Sequence, residues 1–222
     1  MISLILTESA LELVPKELEY HKSVISHAQK LGKRPSEILL DNSWHFAAMK
    51  GIKNEIKRGR PDLVHFCILE ATTIPLYKKN KIKVYIHTID DKVIYFGDNV
   101  NIPKSYHRFE GLFEKLFLEK TIESNGNTLL EIKDKSFLEI IDEIKPSTVI
   151  GLSSNGKKLS MENTVSKLPE NCCLVVGGFQ KGQFSEIVQN RVDQMISIDD
   201  SSFEAHVVVA RILYEYEKTI FM

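Results

Sequence analysis

Residues 172–203 read CCLVVGGFQKGQFSEIVQNRVDQMISIDDSSF, and the fold turns on them. An apolar run, Cys172–Val176, meets two glycines, Gly177 and Gly178, with a third at Gly182. The pattern of Ser185–Arg191 predicts a helix, and a second apolar run, Met195–Ile198, ends at Asp199 and Asp200. Strand, helix and strand in that order predict parallel strands with a helical crossover. Outward from this unit, Thr128–Ile132 and Thr148–Leu152 read as further strands, and Phe137–Ile144 and Phe203–Lys218 as further helices. The expected class is therefore α/β: a parallel sheet with helices on both faces.

The first half is less regular. Ile2–Leu6 is a short apolar run, and Ser9–Leu31 reads as helical, interrupted near Pro15 and stopped by Gly32. Glu37–Asp41 reads as a short strand ending in an acid, and Leu63–Leu69 as a buried strand running into a helical turn. Lys81–Thr88 alternates Ile82, Val84 and Ile86 with polar neighbours, and Val93–Phe96 follows across the Asp90-Asp91 turn, which predicts a hairpin. Phe109, Leu112, Phe113, Leu116 and Phe117 recur at helical spacing within Tyr106–Lys120. This half reads as a basic elaboration on the sheet.

With 222 residues, 43% hydrophobic and 27% charged, the chain can bury a sizeable core and is not wholly disordered. We take residues 1–222 as one domain. Apolar runs such as Val207–Ala210 are far shorter than the roughly 18 residues a bilayer span needs. Glu8 interrupts the N-terminal run too early for a signal peptide. The expectation is a soluble, cytoplasmic protein with no membrane partner. Cys67, Cys172 and Cys173 form no CxxC and no metal-ligand spacing, so buried free thiols and no metal are expected.

Net charge is −1, but it divides unevenly. Residues 1–111 carry 17 basic against 13 acidic side chains, and residues 112–222 carry 12 against 17. Lys50, Lys53, Lys57, Arg58 and Arg60 lie close together against the single acid Glu55. A charge run alone is usually a solvated face, but this one marks where a polyanion would dock.

Four segments carry candidate chemistry. Val175–Gly182 sets glycines at a strand end, where open α/β sheets bind ligands, although it is neither GxGxxG nor a Walker loop. Met195–Phe203 reads as strand, polar loop and helix, with Asp200, Ser201 or Ser202 free to cap the last helix or to touch a ligand. That helix is apolar around most of its circumference, which calls for an oligomer interface or deep burial. Lys57–Leu63 places two arginines beside a glycine, suited to phosphates or guanine edges, with Asp62 able to pin an arginine or act as a base. In Asn101–Phe109, Lys104 and Arg108 oppose the dipole of the following helix, a cost easier to understand if they face an anion.

These segments together resemble one family, the SPOUT-class small-subunit ribosomal RNA pseudouridine N1-specific methyltransferases (the Nep/Emg family). The resemblance covers nearly the whole chain: SALEL at 9–13, LLDNSWHF at 39–46, RGRPDLVHF at 58–66, YIHTIDD at 85–91, IPKSYHRFEGL at 102–112, VVGGFQKG at 175–182 and SI at 197–198. RGRPDLVHF is its most specific motif. The resemblance implies a C-terminal trefoil knot, an exception to the rule that chains do not thread loops. It places RNA-facing basic insertions at about 50–110 and a cofactor-binding knot at about 148–222. It further implies S-adenosylmethionine held by Leu152, by the loop from Gly177 and Gly178 through Gly182 with Gln183 and Phe184, and by Ile198, Asp199, Asp200, Ser201, Ser202 and Phe203. RNA contacts carry over to Arg58, Arg60, Lys104 and Arg108, with Asn101 standing where relatives often have arginine. Lys104 also replaces an arginine, and Asp199-Asp200 replaces a stretch with Asn and an aromatic residue. Expected partners are small-subunit rRNA, a second copy of the chain, and ribosomal proteins or assembly factors.

The implied reaction needs N1 of pseudouridine to shed its proton, so a general base or stabilising cations would help. Asp62 is the candidate base or orienter, with Arg60 as its partner, and Asp90 is the competitor. Two other readings stand beside this one: an RNA-binding ribosome assembly factor whose methylation is dispensable or lost, and a nucleotide-binding α/β enzyme unrelated to RNA.

Overall fold

Strand β1 (Ile2–Ser9) is buried along all eight of its residues, because it is central and covered on both faces. Ile2, Leu4 and Leu6 point into one core and Ile5 into another. The computed structural model describes residues 1–166, 168–199 and 201–221. Among these, the strands are β1, β2 (Ile82–Thr88), β3 (Lys92–Phe96), β4 (Thr121–Ser124), β5 (Asn127–Asp134), β6 (Thr148–Lys158), β7 (Cys172–Gly177) and β8 (Gln194–Ser197). They form one sheet in the order β4-β5-β3-β2-β1-β7-β6-β8. Strands β2, β1, β7, β6 and β8 are parallel, whereas β3, β5 and β4 complete one edge antiparallel.

The helices are α1 (Lys22–Leu31), α2 (Asn42–Met49), α3 (Pro61–Thr72), α4 (Pro75–Lys78), α5 (Tyr106–Glu119), α6 (Phe137–Ile144), α7 (Met161–Val165), α8 (Glu186–Arg191) and α9 (Ala205–Phe221). α3, α5 and α9 bury Ile68, Phe109, Phe113 and Ile212 against one sheet face. α6 and α8 bury Phe137, Ile140 and Val188 against the other. α1 and α2 enclose a small separate core that includes Val24, Ala28, Leu40 and Met49. The first half is thus not all elaboration: β1 and β2 lie at the sheet's centre, and α3 packs on α9.

Several expectations need correction. Leu63–Leu69 is helix, within α3. Pro61 at its first turn pre-sets the helical φ, and the buried Leu63, Val64, Cys67, Ile68 and Ala71 recur with the helical period. A short apolar run does not by itself separate the two periods. Of Ser9–Leu31, only Lys22–Leu31 is α-helical, and Gly32 closes it in the left-handed conformation. Glu37–Asp41 is not a strand. A single bridge joins Leu39 to Leu13, and the Asp41 carboxylate caps α2 by accepting from the Ser43 amide at 2.8 Å. The strand predicted at Thr128–Ile132 exists as β5 but is antiparallel, joined to β4 through Asn125 and Gly126, both at positive φ. α9 begins at Ala205, so Ser201 and Ser202 do not cap it. The Glu204 carbonyl accepts from the Val207 and Val208 amides there. No helix among the described residues is long and apolar enough to cross a membrane. The three cysteines are free and buried.

Candidate functional site

The register sets Leu152 of β6, where its pairing with β8 breaks, level with Val176 near the end of β7 and Ile196 near the end of β8. Beyond them opens a cleft of about 950 Å³ including its mouth, at the carboxyl edge where α/β sheets bind ligands. Leu152, Gly177, Gly182, Gln183, Phe184, Ile198, Asp199, Ser201, Ser202 and Phe203 all line it. Gly178 stands behind the wall: a Cβ there would sit 2.1 Å from Ser9 Oγ and 2.8 Å from Ser9 Cα. Its amide donates to Thr7 O, and its carbonyl accepts from the Ala10 amide, which locks the loop to the end of β1. Asp200 lies outside the described residues. Phe179 and Gln180, inside the expected Gly177–Gly182 loop, line it as well, and so do residues that sequence reading missed: Ser153 and Ser154, where β6 leaves its pairing with β8, and Glu204.

The chemistry of this wall is selective. Apolar side chains alternate with hydroxyls, and the charged groups among the described lining residues are two acids, Asp199 and Glu204, with no Lys or Arg. Asp199 accepts from the Ser201 amide at 2.8 Å, and that bond holds its carboxyl below the usual range. Among the described residues, such a wall favours a ligand with positive charge over a phosphate.

Arg60 and Asp62 form the pair anticipated from RGRPD. Arg60 Nε donates to Asp62 Oδ1 at 2.7 Å, and Nη2 donates to Oδ2 at 2.8 Å. This bidentate grip raises the Arg60 pKa, and Glu204 on the cleft wall adds to it, linking the pair to the cleft. Asp90 accepts from Thr88 Oγ1 at 2.6 Å and pairs with Lys92, so its carboxylate is engaged within its own turn.

The basic segment has partners that no local count could reveal. Lys57 Nζ donates to Glu8 Oε2 at 2.7 Å, and Arg58 binds Glu12 through Nε at 2.8 Å and Nη2 at 2.7 Å. Both cations are 12% exposed. Arg58 therefore points inward as a buried ion pair instead of outward at a polyanion. Asn101, Lys104 and Arg108 are exposed, and no ion pair of Lys104 or Arg108 occurs among the described residues. The segment that carries them is fixed by Tyr106 Oη donating to Asp41 at 2.7 Å and by His65 Nε2 donating to Pro103 O at 2.7 Å. The Asn42 amide, in turn, donates to Gly59 O at 2.9 Å. The RGRPD loop and the 102–109 segment are thus held on one scaffold.

A glycine-bounded cleft where three parallel strands stand level, with an arginine–aspartate pair that feels Glu204 of its wall, defines an α/β protein with a cleft of small-molecule size. The comparisons make this class specific. The chain matches the EMG1/NEP1 methyltransferase family model over residues 4–217 and belongs to that family. It is 40% identical over 222 residues to the ribosomal RNA small subunit methyltransferase Nep1 of Thermococcus sibiricus, covering 99% of each chain. It is 41% identical over 215 residues to the Nep1 of Sulfurisphaera tokodaii, covering 96% of this chain and 94% of that one. Among solved structures, Archaeoglobus fulgidus Nep1 bound to S-adenosylhomocysteine matches with a TM-score of 0.89 at 32% identity, covering 99% of both chains.

Proposed function

We propose that this protein is an S-adenosylmethionine-dependent methyltransferase acting on N1 of a pseudouridine in a small-subunit rRNA hairpin loop, and that it contributes to small-subunit biogenesis. The observation that carries the reading is the cleft wall: glycines admit a ligand closely, hydroxyls offer hydrogen bonds, and the acids Asp199 and Glu204, without a basic side chain among the described lining residues, suit a cationic cofactor. The same wall argues against a phosphate-bearing nucleotide. Leu152, Gly177, Gly182, Gln183, Phe184, Ile198, Asp199, Ser201, Ser202 and Phe203 would hold S-adenosylmethionine. When bound, that cofactor supplies an electrophilic methyl group.

The chain's own task is to hold N1 of pseudouridine in line with that group while the N1 proton passes to solvent, so positioning supplies much of the acceleration. Arg60 stabilises the charge that develops on the base. Asp62, with both oxygens committed to Arg60, acts as orienter of that guanidinium rather than as a free base. Lys104 and Arg108 contact phosphates and set the register of the hairpin, while its unpaired loop lets the target base be splayed out cheaply. Asn101 lies beside them as a neutral contact.

The knotted C-terminus is part of this reading. It is supported by the sheet order, in which β8 joins the edge beside β6 while α9 returns to pack on α7 and β7. A homodimer is supported by apolar side chains left exposed on α3 and α9, with Phe66 48% and Tyr214 56% exposed. The test is calorimetric titration with S-adenosylmethionine, followed by transfer to rRNA hairpins carrying pseudouridine or uridine. Cofactor binding with transfer to pseudouridine alone is expected. RNA binding without cofactor binding would leave an RNA-binding assembly factor instead.

A further inference from the structure

Glu8 is a buried carboxylate at the end of the central strand, and its backbone is left-handed at φ 49°. Glycine adopts that conformation most cheaply, so a glutamate there is held by its surroundings. Its two oxygens reach in different directions. Oε2 accepts from Lys57 Nζ at 2.7 Å, in the segment that runs into Arg58-Gly59-Arg60. Oε1 accepts from the Ser185 amide at 3.0 Å, directly after the cleft-lining Phe184.

The two segments also touch without Glu8. The Lys57 ammonium lies 4.5 Å from the centre of the Phe179 ring, and a Cβ on Gly182 would meet Lys57 Cε at 3.2 Å and Ile56 Cδ1 at 3.4 Å. Gly182 itself, at φ 109°, keeps the loop in a path that other residues follow only with strain. The cofactor-side loop and the RNA-side segment are therefore two faces of one packed unit, with Glu8 as the ionic bolt between them.

We propose that Glu8 is a positioning residue that couples the two ligand sites, so that a ligand ordering residues 177–185 also fixes Lys57 and, through it, the RGRPD loop. The proposal rests on the reading above that the cofactor occupies the cleft and RNA the basic face. Coupling of this kind is reciprocal: each ligand must tighten the other by the same factor.

The experiment measures the affinity of a pseudouridine-containing rRNA hairpin with and without saturating S-adenosylhomocysteine, and the converse, in the wild type, Glu8→Gln and Lys57→Met. In the wild type each ligand should tighten the other by about fivefold or more, the lower end of typical couplings. In both variants the factor should collapse to below about twofold, even where the separate affinities persist. A purely structural role would weaken the separate affinities and leave the factor intact, which overturns the proposal. A wild-type factor of one overturns it as well. A wild type that binds neither ligand removes the functional reading and this one together. Lys57→Met keeps the packed stem, so it decides the matter should Glu8→Gln fail to fold.

Discussion

Arg58 is gripped by Glu12 through two parallel hydrogen bonds of 2.8 and 2.7 Å, and the Glu12 side chain is only 4% exposed. Removing one partner of such a pair strands a buried charge, at a cost of about 3–5 kcal/mol. Arg58→Ala should therefore lower the melting temperature by about 6–20 °C for a chain of this size. The salt dependence of RNA binding should stay unchanged, because Arg58 neutralises Glu12 and not a phosphate. Thermal unfolding and a salt titration of RNA affinity on the same variant check both halves.

Lys104 and Arg108 should behave the other way round. Each is exposed, so replacement by alanine should leave the melting temperature within about 1–2 °C. Each should also lower the slope of log affinity against log salt by about one unit. Filter binding across a salt series reads the slope directly.

Asp62→Asn tests whether this carboxylate orients or abstracts. A general base contributes about 10²–10⁴-fold, and its loss removes the matching limb of the pH–rate profile. An orienter of Arg60 should cost roughly tenfold and leave the profile's shape unchanged, with part of the loss appearing as weaker RNA binding. Single-turnover rates at several pH values, with cofactor saturating, distinguish the two, and we expect the second.

Gly178→Ala places a methyl group 2.1 Å from Ser9 Oγ and 2.8 Å from Ser9 Cα, so backbone as well as side chain must yield. Overpacking of this kind costs about 1–3 kcal/mol. Because the shift falls on the loop that walls the cleft, S-adenosylhomocysteine affinity should drop by about tenfold or more, as calorimetry would show.

His45 makes acid stability testable. It is fully buried, its Nδ1 accepts from the Asp41 amide at 3.1 Å, and its Nε2–H donates to His27 Nδ1 at 3.0 Å. Burial, with His27 second, lowers its pKa to about 4. The folded state thus binds this proton less readily than the unfolded chain, whose histidine titrates near 6.5. The stability it confers is complete above about pH 6.5 and is lost as pH falls toward about 4. Urea midpoints should decline across that window, and less steeply in His45→Gln.

The parallel core was legible because strands buried on both faces leave unbroken apolar runs such as CCLVV, and the cleft was legible because two glycines follow that run. What escaped shares a physical cause. LVHFCIL is short enough to suit either period, and only Pro61 before it argued for helix. The inward turn of Lys57 and Arg58 depends on Glu8 and Glu12, some fifty residues away in sequence, so a local charge count saw only cations. One signal was available: Glu12 stands between Leu11 and Leu13, and an acid inside an apolar stretch usually has a buried partner. Glu204 carried no signal of its own, since its place on the wall follows from where α9 begins.

Strand β1 leaves the ribosome long before β7, yet one of its edges pairs with that strand, Ser3 lying opposite Cys173. At synthesis rates of about 5–20 residues per second, that edge waits on the order of ten to thirty seconds for its neighbour. During that interval ISLILT is an apolar strand with one side unsatisfied, open to pairing with another nascent chain. The residues that organise the finished site thus also set a timing problem for its birth: closing the sheet waits for β7, and a holding chaperone present during synthesis should raise the yield of folded protein.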